Sequence, residues 1–312
     1  MSMKEYLVGY TGFVGSNIAS KHKFTGLFNS KNVWEAYEGT PDLLVYSGVK
    51  AEMFLANKNP EADFAMMETA IENIKKINPK KLVLISSIAV YYNPDNVDED
   101  AEIEETKLSA YGKNRLYLEK KVRENFSDAL IVRLPGLYGM NLKKNFIYDF
   151  IKRIPSMLSE DKYINFSKQS EQIKYSYVKL DSGFYKCKVL NTIEEQNLRN
   201  EFEKIGFSAL DFTDSRGTYQ YYNLGNLWKD ISIALKNDIR LLNLAVEPVT
   251  AGELYFYLIG KEFVNYIDKP VPYFNYKTKY AEYFGGTDGY IRTKEIVLED
   301  IRKYVSEMRE KL

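Results

Sequence analysis

Four apolar segments in the first half of the chain have the pattern of buried β-strands. They are rich in leucine, isoleucine and valine and lack polar alternation, as expected for parallel strands covered on both faces. The four segments are 6–9, 42–47, 81–86 and 129–134. Amphipathic segments separate them, so the pattern predicts strands and helices that alternate around a parallel sheet.

The helix between the second and third of these strands has the clearest periodicity. Its apolar residues recur at spacings of three and four, which places them on one helix face. These residues are Phe64, Met67, Ile71, Ile74 and Ile77. Asn59-Pro60 is a typical helix start and Asn78-Pro79 a typical helix end.

The second half of the chain is less regular, but two helix starts stand out. Thr192 with Glu195, and Thr250 with Glu253, have the spacing of capping boxes. Each pair predicts a helix that begins just after its threonine. The acidic run 98–105 is expected to form a solvated loop, because repulsion between its carboxylates keeps it extended.

The composition excludes several kinds of chemistry. Among its 312 residues the chain has one histidine, His22, and one cysteine, Cys187, but 26 tyrosines. Zinc sites need about three or four protein ligands, mostly Cys and His, so a metal site is not expected. A hydrolytic triad would need His22, which is expected to be exposed at the end of the first helix. Proton chemistry must then come from Tyr, carboxylates, Lys or Arg.

Charge and cysteine content indicate the compartment. The 43 basic residues balance the 43 acidic ones, which argues against attraction to nucleic acid or an anionic membrane. A lone cysteine fits a reducing compartment, and there is neither a signal-peptide core nor an apolar run long enough to span a bilayer. We therefore expect a soluble cytoplasmic protein.

A glycine-rich segment follows the first strand. Gly9, Gly12 and Gly15 lie between that strand and a predicted helix over 14–21. Glycines at this spacing let the backbone turn tightly and approach a pyrophosphate at the start of a helix. The segment therefore predicts a dinucleotide site that includes the neighbouring residues Phe13 and Val14.

The Gly-x-x-Gly-x-x-Gly form resembles the extended short-chain dehydrogenase/reductase family, the NAD-dependent epimerase/dehydratase group that acts on nucleotide sugars. The resemblance covers residues 4–152 and returns faintly at 219–230 and 243–254. It implies an α/β fold with a Rossmann-like, doubly wound parallel sheet in residues 1–160, to which about 218–248 return. Residues 161–312 would form a smaller, interleaved α/β lobe that binds substrate.

Two segments resemble the catalytic motifs of that family. Ser86-Ser87-Ile-Ala-Val90-Tyr91 resembles its Ser-Ser and Val-Tyr segment, which implies that Ser87 is the catalytic hydroxyl and contacts substrate. Tyr111-Gly-Lys-Asn-Arg115 resembles its Tyr-x-x-x-Lys helix, with arginine in place of lysine. The resemblance implies that Tyr111 is the acid/base, and that the cation one turn later favours its phenolate and contacts the nicotinamide ribose. Residues i and i+4 share a helix face, so Arg115 is suitably placed, whereas Lys113 points about 200° away.

Further positions follow from the same resemblance. The segment 133–139 resembles the family's loop beside the nicotinamide, which implies a cofactor contact for Pro135. Asn145 corresponds to the residue that begins a helix near the nucleotide phosphates. A strand-terminating turn and a helix cap are the alternative interpretations of these two residues. In the family, an arginine in the segment corresponding to 219–230 usually binds the substrate diphosphate. This chain lacks that arginine, and Arg216 is a candidate to replace it.

The segment after the first helix bears on cofactor choice. It has no acidic residue to bind a ribose 2′-hydroxyl, whereas Ser30 and Lys31 could meet a 2′-phosphate. This favours NADP over NAD, although Lys31 could equally be a solvated loop residue. The chain from Gly12 to Asp42 is also short, which resembles the abbreviated adenine side of some nucleotide-sugar ketoreductases. Ser47 and Gly48, at the end of the next strand, are expected to line the same site.

The residues around the motifs narrow the reaction. Ile88 and Ala89 stand where the family's 4,6-dehydratases carry an Asp-Glu pair, and the Cys and His of its 3,5-epimerase/reductases are not in place. Of the reactions that the resemblance implies, hydride transfer by a 4-ketoreductase or a 4-epimerase remains. The alternative is a non-catalytic or weakly catalytic NAD(P)-binding sensor or scaffold. The resemblance also implies a nucleotide-sugar substrate and a homodimer formed through two helices, one of them the Tyr111 helix.

Overall fold

The computed structural model describes residues 3–310, apart from the side chain of Leu55. The strands are β1 Glu5–Val8, β2 Gly26–Phe28, β3 Leu43–Tyr46, β4 Leu82–Ser87, β5 Leu130–Leu134, β6 Gly136–Tyr138, β7 Met157–Leu158, β8 Tyr177–Lys179, β9 Tyr185–Cys187, β10 Thr218–Tyr219, β11 Tyr221–Asn223, β12 Leu241–Asn243 and β13 Val249–Thr250. The helices are α1 Phe13–Ala19, α2 Met53–Lys58, α3 Pro60–Ile77, α4 Ala110–Asn125, α5 Phe146–Lys152, α6 Glu160–Ser167, α7 Glu171–Ser176, α8 Thr192–Ile205, α9 Leu227–Lys236, α10 Ala251–Ile259 and α11 Lys294–Glu310. Within the described range, no helix combines the length and apolar character needed to cross a membrane.

A six-stranded parallel sheet forms the core of the first half, in the order β12-β5-β4-β3-β1-β2. The four strands predicted from apolar segments are β1, β3, β4 and β5, each within about one residue of its predicted bounds. Most of their residues are buried, as predicted for strands covered on both faces. The predicted α/β fold with a Rossmann-like parallel sheet is confirmed.

The periodic segment forms α3, which packs against this sheet. The Asn59 side chain caps its start by accepting a hydrogen bond from the Ala62 N–H at 3.2 Å. Asn78 ends it in the left-handed conformation, with φ 53°. The predicted apolar face is buried from Met67 onward, whereas Phe64, in the second turn, is exposed.

The segment between α1 and β3 is abbreviated. It contains only the three residues of β2 and a single 3₁₀ turn, Val33–Ala36. A full helix would normally connect two parallel strands. Strand β2 ends at Phe28, and the candidate cofactor residues Ser30 and Lys31 follow it within this short connection.

The chain divides into two compact units that alternate along the sequence. Unit 1 comprises the chain up to Leu142, Thr218–Val249 and Tyr273–Leu298. Unit 2 comprises Lys143–Gly217, Thr250–Pro272 and the chain from Glu299 onward. The chain therefore leaves unit 1 before the predicted boundary at 160. The assignment of cofactor and substrate binding to separate lobes stays a prediction.

One of the two predicted capping boxes is shifted. Helix α8 is capped by Asn191 and Glu194, one residue before the predicted pair Thr192 and Glu195. Asparagine is at least as good an N-cap as threonine, so the earlier pair takes the position. The box of Thr250 and Glu253 at α10 is confirmed.

The expectation of a solvated acidic loop over 98–105 is wrong for Glu99. This residue is buried. Its carboxylate accepts hydrogen bonds from the Thr278 hydroxyl at 2.6 Å and from the backbone N–H groups of Asn243 at 2.7 Å and Lys279 at 2.9 Å. Burial raises the pKa of Glu99, and these donors oppose the shift. The acidic run thus anchors one end of its loop to the core.

Candidate cofactor and catalytic site

The three glycines form a tight loop at the carboxyl end of β1. Gly9 has φ +94°, and a Cβ there would lie 2.6 Å from the Ser47 carbonyl group. A Cβ on Gly15 would lie 2.1 Å from the Gly9 carbonyl oxygen. Any side chain at either position would therefore force β1, β3 and α1 apart. The N-cap of α1 is Gly12, which has no side chain to cover the helix start.

Asn17 holds this loop to a second segment of the predicted site. It is buried in α1, and its side-chain amide donates to the carbonyl oxygens of Phe13 and Met140 at 2.8 and 2.9 Å. Its carbonyl oxygen accepts from the Met140 N–H at 3.0 Å. Asn17 thus joins the glycine loop to the turn that follows β6. Sequence reasoning missed this residue, because one asparagine in a short helix carries no motif.

The other candidate cofactor residues lie at the same edge of the sheet. Ser30 and Lys31 are exposed directly after β2, where the Lys31 N–H donates to the Asn29 side chain at 2.8 Å. Ser47 follows β3, and its hydroxyl donates to the Val8 carbonyl oxygen at 2.9 Å. Gly48 is exposed beside it. Because parallel strands end at one edge, these positions border the glycine loop.

The two segments that resemble catalytic motifs meet at a close contact between α4 and the turn after β4. Ser87 ends β4 and caps the 3₁₀ turn Ile88–Val90, where its Oγ accepts from the Ala89 N–H at 3.2 Å. A Cβ on Gly112 would lie 2.3 Å from the Ala89 carbonyl oxygen. Only glycine therefore lets α4 approach this turn so closely. The contact brings the start of the Tyr111 helix against the segment that carries Ser87.

Tyr111 itself is buried, with 4% of its surface exposed. Its backbone N–H donates to the Asn57 side chain at 3.0 Å, which ties the first turn of α4 to α2. The guanidinium of Arg115 lies over the Tyr111 ring, 4.3 Å from its centroid. The predicted proximity of tyrosine and cation is therefore present, and the cation faces the ring.

Arg115 is also engaged by three other groups. Both terminal nitrogens contact the Asp63 carboxylate, at 3.3 and 3.2 Å, and one donates to the Lys50 carbonyl oxygen at 2.7 Å. The other lies 2.9 Å from the Met67 sulfur. All four terminal N–H groups thus have acceptors, so a ribose contact by Arg115 would have to replace one of them. Sequence reasoning missed Asp63, since an acid in the first turn of a helix usually serves the helix dipole.

A second buried ion pair joins the ends of β4 and β5 to α4. The Glu119 carboxylate accepts from the Ser86 hydroxyl at 2.5 Å and from Arg133 at 2.6 Å, and both charged residues are buried. Arg133 also donates to the Tyr91 hydroxyl at 2.6 Å. Burial raises the pKa of the Tyr91 phenol, and the charge of Arg133 opposes the shift. Ser86, which precedes Ser87, and Arg133, two residues before Pro135, are therefore fixed to the Tyr111 helix.

Glu119 could have been found from the sequence. It lies four residues after Arg115 and eight after Tyr111, and therefore on a similar face of α4. Pro135 follows Arg133 by two residues, between β5 and β6, which makes it the strand-terminating turn foreseen as its alternative interpretation. Its cofactor contact stays a prediction.

The candidate substrate residues of unit 2 have local partners. Asn145 caps α5 by accepting from the Tyr148 N–H at 3.1 Å, and its φ is +107°. Arg216 donates to both oxygens of Asp214, at 2.9 and 2.7 Å. This fork holds the pKa of Asp214 well below its usual range. The structure thus shows Asn145 as a helix cap. Substrate contacts by Asn145 and Arg216 stay predictions.

The single histidine and cysteine have structural surroundings. His22 is half-buried, a correction to the expected exposure: its Nε2 lies 2.7 Å from a Glu5 carboxylate oxygen, and its ring stacks on Trp228 at 3.9 Å. Burial raises the pKa of the Cys187 thiol to about 11, which keeps it protonated. Neither arrangement resembles an activated nucleophile.

Comparison with solved structures identifies the same fold over nearly the whole chain. A UDP-N-acetylglucosamine 4-epimerase from Methanobrevibacter ruminantium, in complex with UDP-N-acetylmuramic acid, has TM-score 0.64 at 14% identity, covering 100% of this chain and 99% of that one. A dTDP-4-dehydrorhamnose reductase from Bacillus anthracis, in complex with NADP, has TM-score 0.62 at 13% identity, covering 98% and 99%. A UDP-glucose 4-epimerase from Thermotoga maritima, with UDP-glucose, has TM-score 0.60 at 13% identity, covering 99% of each chain.

Sequence comparison gives the family. No curated protein has a sequence similar enough to count as a match. Residues 29–179 match the sequence model of the NAD dependent epimerase/dehydratase family, a span that contains Ser87, Tyr111 and Pro135. The glycine loop lies outside that span, but the structural likeness includes it. Over residues 29–179, the chain has the sequence of the NAD-dependent epimerase/dehydratase family, the extended short-chain dehydrogenase/reductases.

Proposed function

We propose that this protein catalyses NAD(P)-dependent hydride transfer on a nucleotide sugar, as a 4-ketoreductase or a 4-epimerase, with Tyr111 as the acid/base. The observation that carries the proposal is the contact of Gly112 with the Ala89 carbonyl oxygen, which sets the Tyr111 helix against the Ser87 turn. A Cβ at this position would lie 2.3 Å from that oxygen, so any other residue type would push the two segments apart. The reductases and epimerases with the same fold support the reaction class.

The glycine loop fits a dinucleotide. The spaces that a Cβ on Gly9 or Gly15 would fill are taken up by backbone, so the loop is compact and lined by main-chain groups. We propose that Gly9, Gly12 and Gly15 hold the pyrophosphate, and that Lys31 meets the 2′-phosphate of NADP. Lys31 is exposed at the end of β2 with no acid beside it, which favours NADP over NAD.

The chain's own residues would perform the proton transfer. When bound, the cofactor supplies or accepts the hydride. In the reductive direction, the Tyr111 phenol gives its proton to the carbonyl oxygen of the sugar as the carbon gains hydride. The Ser87 hydroxyl orients that oxygen by hydrogen bonding. Arg115, over the face of the Tyr111 ring, stabilises the phenolate that remains.

The alternative function is a cofactor-binding sensor or scaffold with weak or no turnover. The specific observation in its favour is the ion pair of Arg115 with Asp63. A paired cation stabilises a phenolate less than a free one does, because the carboxylate opposes its charge. The glycine loop would be retained in such a protein, and the proton transfer would not.

Activity measurements separate the two functions. We expect oxidation of NADPH with 4-keto nucleotide sugars, or interconversion of 4-hydroxyl epimers, and a loss of about a hundredfold or more in kcat for Tyr111→Phe. Tyr117→Phe is the matched control, because Tyr117 lies on the same helix with its hydroxyl bonded to the exposed Glu68. Activity that survives unchanged in Tyr111→Phe contradicts the mechanism. Cofactor binding without activity across a broad panel of nucleotide sugars supports the sensor.

The substrate contacts and assembly are part of the same proposal. We propose that Asn145 and Arg216 contact the phosphates of the nucleotide, and that Ser87 contacts the sugar. We also propose a homodimer through α3 and α4, whose outer surface carries the exposed Phe64 packed on Tyr117 at 4.7 Å. Light scattering of the purified protein measures the assembly, and a monomer at micromolar concentration contradicts it.

A further inference from the structure

A cavity in unit 2 is lined by three arginines. It has a volume of about 460 Å³, and its lining residues are Ile151, Arg153, Arg199, Glu203 and Arg309. They come from the end of α5, the middle of α8 and the end of α11. With one carboxylate against three guanidinium groups, the lining carries a formal excess of two positive charges.

Two of these arginines are held by one aromatic ring. Phe150 is fully buried. The guanidinium of Arg153 lies 4.9 Å from its ring centroid and that of Arg309 lies 4.6 Å from it. Arg153 also caps α5 in the left-handed conformation, with φ 63°, and donates to the Phe150 carbonyl oxygen at 3.1 Å. Both cations are therefore positioned before any ligand arrives.

Within residues 3–310, the positive charge of the cluster is only partly balanced. Over residues 3–310, no carboxylate lies within 4.0 Å of the guanidinium nitrogens of Arg153, Arg199 or Arg309, whereas exposed arginines such as Arg302 are paired. The Nε of Arg199 is shut off from solvent without an acceptor. Burial and the charges of Arg153 and Arg199 lower the pKa of Arg309. An anion would relieve this repulsion and supply the missing acceptors.

We propose that this cavity binds the phosphoryl group of a small molecule. Guanidinium forks match the oxygens of phosphate in pairs, and a phosphate monoester carries about two negative charges, equal to the excess of the lining. The volume lies within the range of about 300–1,000 Å³ that is usual for small-ligand sites. Arg153 caps the opposite end of α5 from Asn145, about 12 Å away by helix rise, so the site is separate from the predicted substrate residue.

Calorimetric titration of the full chain tests this inference. The probes are inorganic phosphate and ribose 5-phosphate, each at constant ionic strength, with ribose as the uncharged control. We expect saturable binding of a phosphate probe and none of ribose. Tighter binding of ribose 5-phosphate identifies an ester as the ligand, and tighter binding of inorganic phosphate identifies the free ion. Either supports the site when variants of the cavity lining change the affinity, and no saturable binding of either probe overturns it.

Variants of the lining residues show whether the phosphate probes bind in this cavity. Arg199→Gln should weaken binding about tenfold or more, since one strong contact is worth at least that factor. Glu203→Gln should tighten it several-fold, because the change removes the one carboxylate among the described lining residues. A destabilised protein would not bind more tightly, so Glu203→Gln keeps the test independent of folding. Arg302→Gln, on α11 but paired with Glu299, is the matched control. Equal affinity in wild type, Arg199→Gln and Glu203→Gln overturns the assignment.

Discussion

Gly112→Ala tests whether close approach of α4 to the Ser87 turn supports activity. The added Cβ would lie 2.3 Å from the Ala89 carbonyl oxygen. Carbon and oxygen rarely approach closer than about 3.3 Å, even in a weak C–H···O bond, so the helix and the turn must separate by about 1 Å. A displacement of about 1 Å in a catalytic group can cost about a hundredfold in rate.

The effect on stability should be much smaller than the effect on rate. Alanine is favoured over glycine within a helix by about 1 kcal/mol, whereas overpacking costs about 1–3 kcal/mol. The expected net loss in the free energy of unfolding is therefore about 0–2 kcal/mol. The variant should fold, melt a few degrees lower and still bind cofactor through the glycine loop.

The assay compares kcat for hydride transfer, cofactor affinity and melting temperature between wild type and variant. Lys113→Ala is the control, because Lys113 is exposed one residue further along the same helix. We expect kcat to fall about a hundredfold in Gly112→Ala and to stay unchanged in Lys113→Ala. A Gly112→Ala protein with more than a third of the wild-type kcat would refute the reasoning.

Three other substitutions or conditions have defined outcomes. Asp63→Asn leaves Arg115 buried without its counter-charge, so chemical denaturation should show a loss of about 3–5 kcal/mol in the free energy of unfolding, and a loss below 1 kcal/mol would contradict this. Burial raises the pKa of Asp149 to about 7, above its unfolded value of about 3.9, so the unfolded state releases that proton first and stability falls as pH rises between these values. Asp149→Asn should therefore gain in melting temperature over wild type between pH 5 and pH 8, and a constant difference would argue against the shift. The pKa of Cys187, raised to about 11, leaves at least about a hundredfold less thiolate at pH 8 than in a free cysteine, so mass spectrometry should show slow iodoacetamide labelling in the native protein and fast labelling after denaturation.

The parts of the fold that were predicted are those in which local pattern and burial agree. The central strands have both faces covered, so their apolar runs identify them directly. Asn59 and Asn78 mark the ends of α3 because capping is local chemistry. The short strands β2 and β6 and the burial of Glu99 were not predicted, since each depends on partners distant in sequence.

The candidate site likewise has features that local sequence predicts and features that depend on distant partners. The glycine loop and the positions of Ser87, Tyr111 and Arg115 follow from motif spacing. The partners of Arg115 could not be predicted, because the Lys50 carbonyl and the Asp63 carboxylate reach it only through tertiary packing. Spacing thus predicted which side chains come near each other, while their hydrogen bonds required the structure.

The alternation of the two units along the sequence affects how the chain can fold during synthesis. Unit 1 lacks its last segment until Leu298 has been made, and the final segment of unit 2 begins at Glu299. Strand β12, at the edge of the sheet beside β5, is also made long after its neighbour. Neither unit corresponds to a continuous piece of the chain, so truncation cannot isolate either one. On the ribosome, neither unit can complete its contacts before residue 298 has been made, so the apolar strands of the first half lack part of their cover during synthesis.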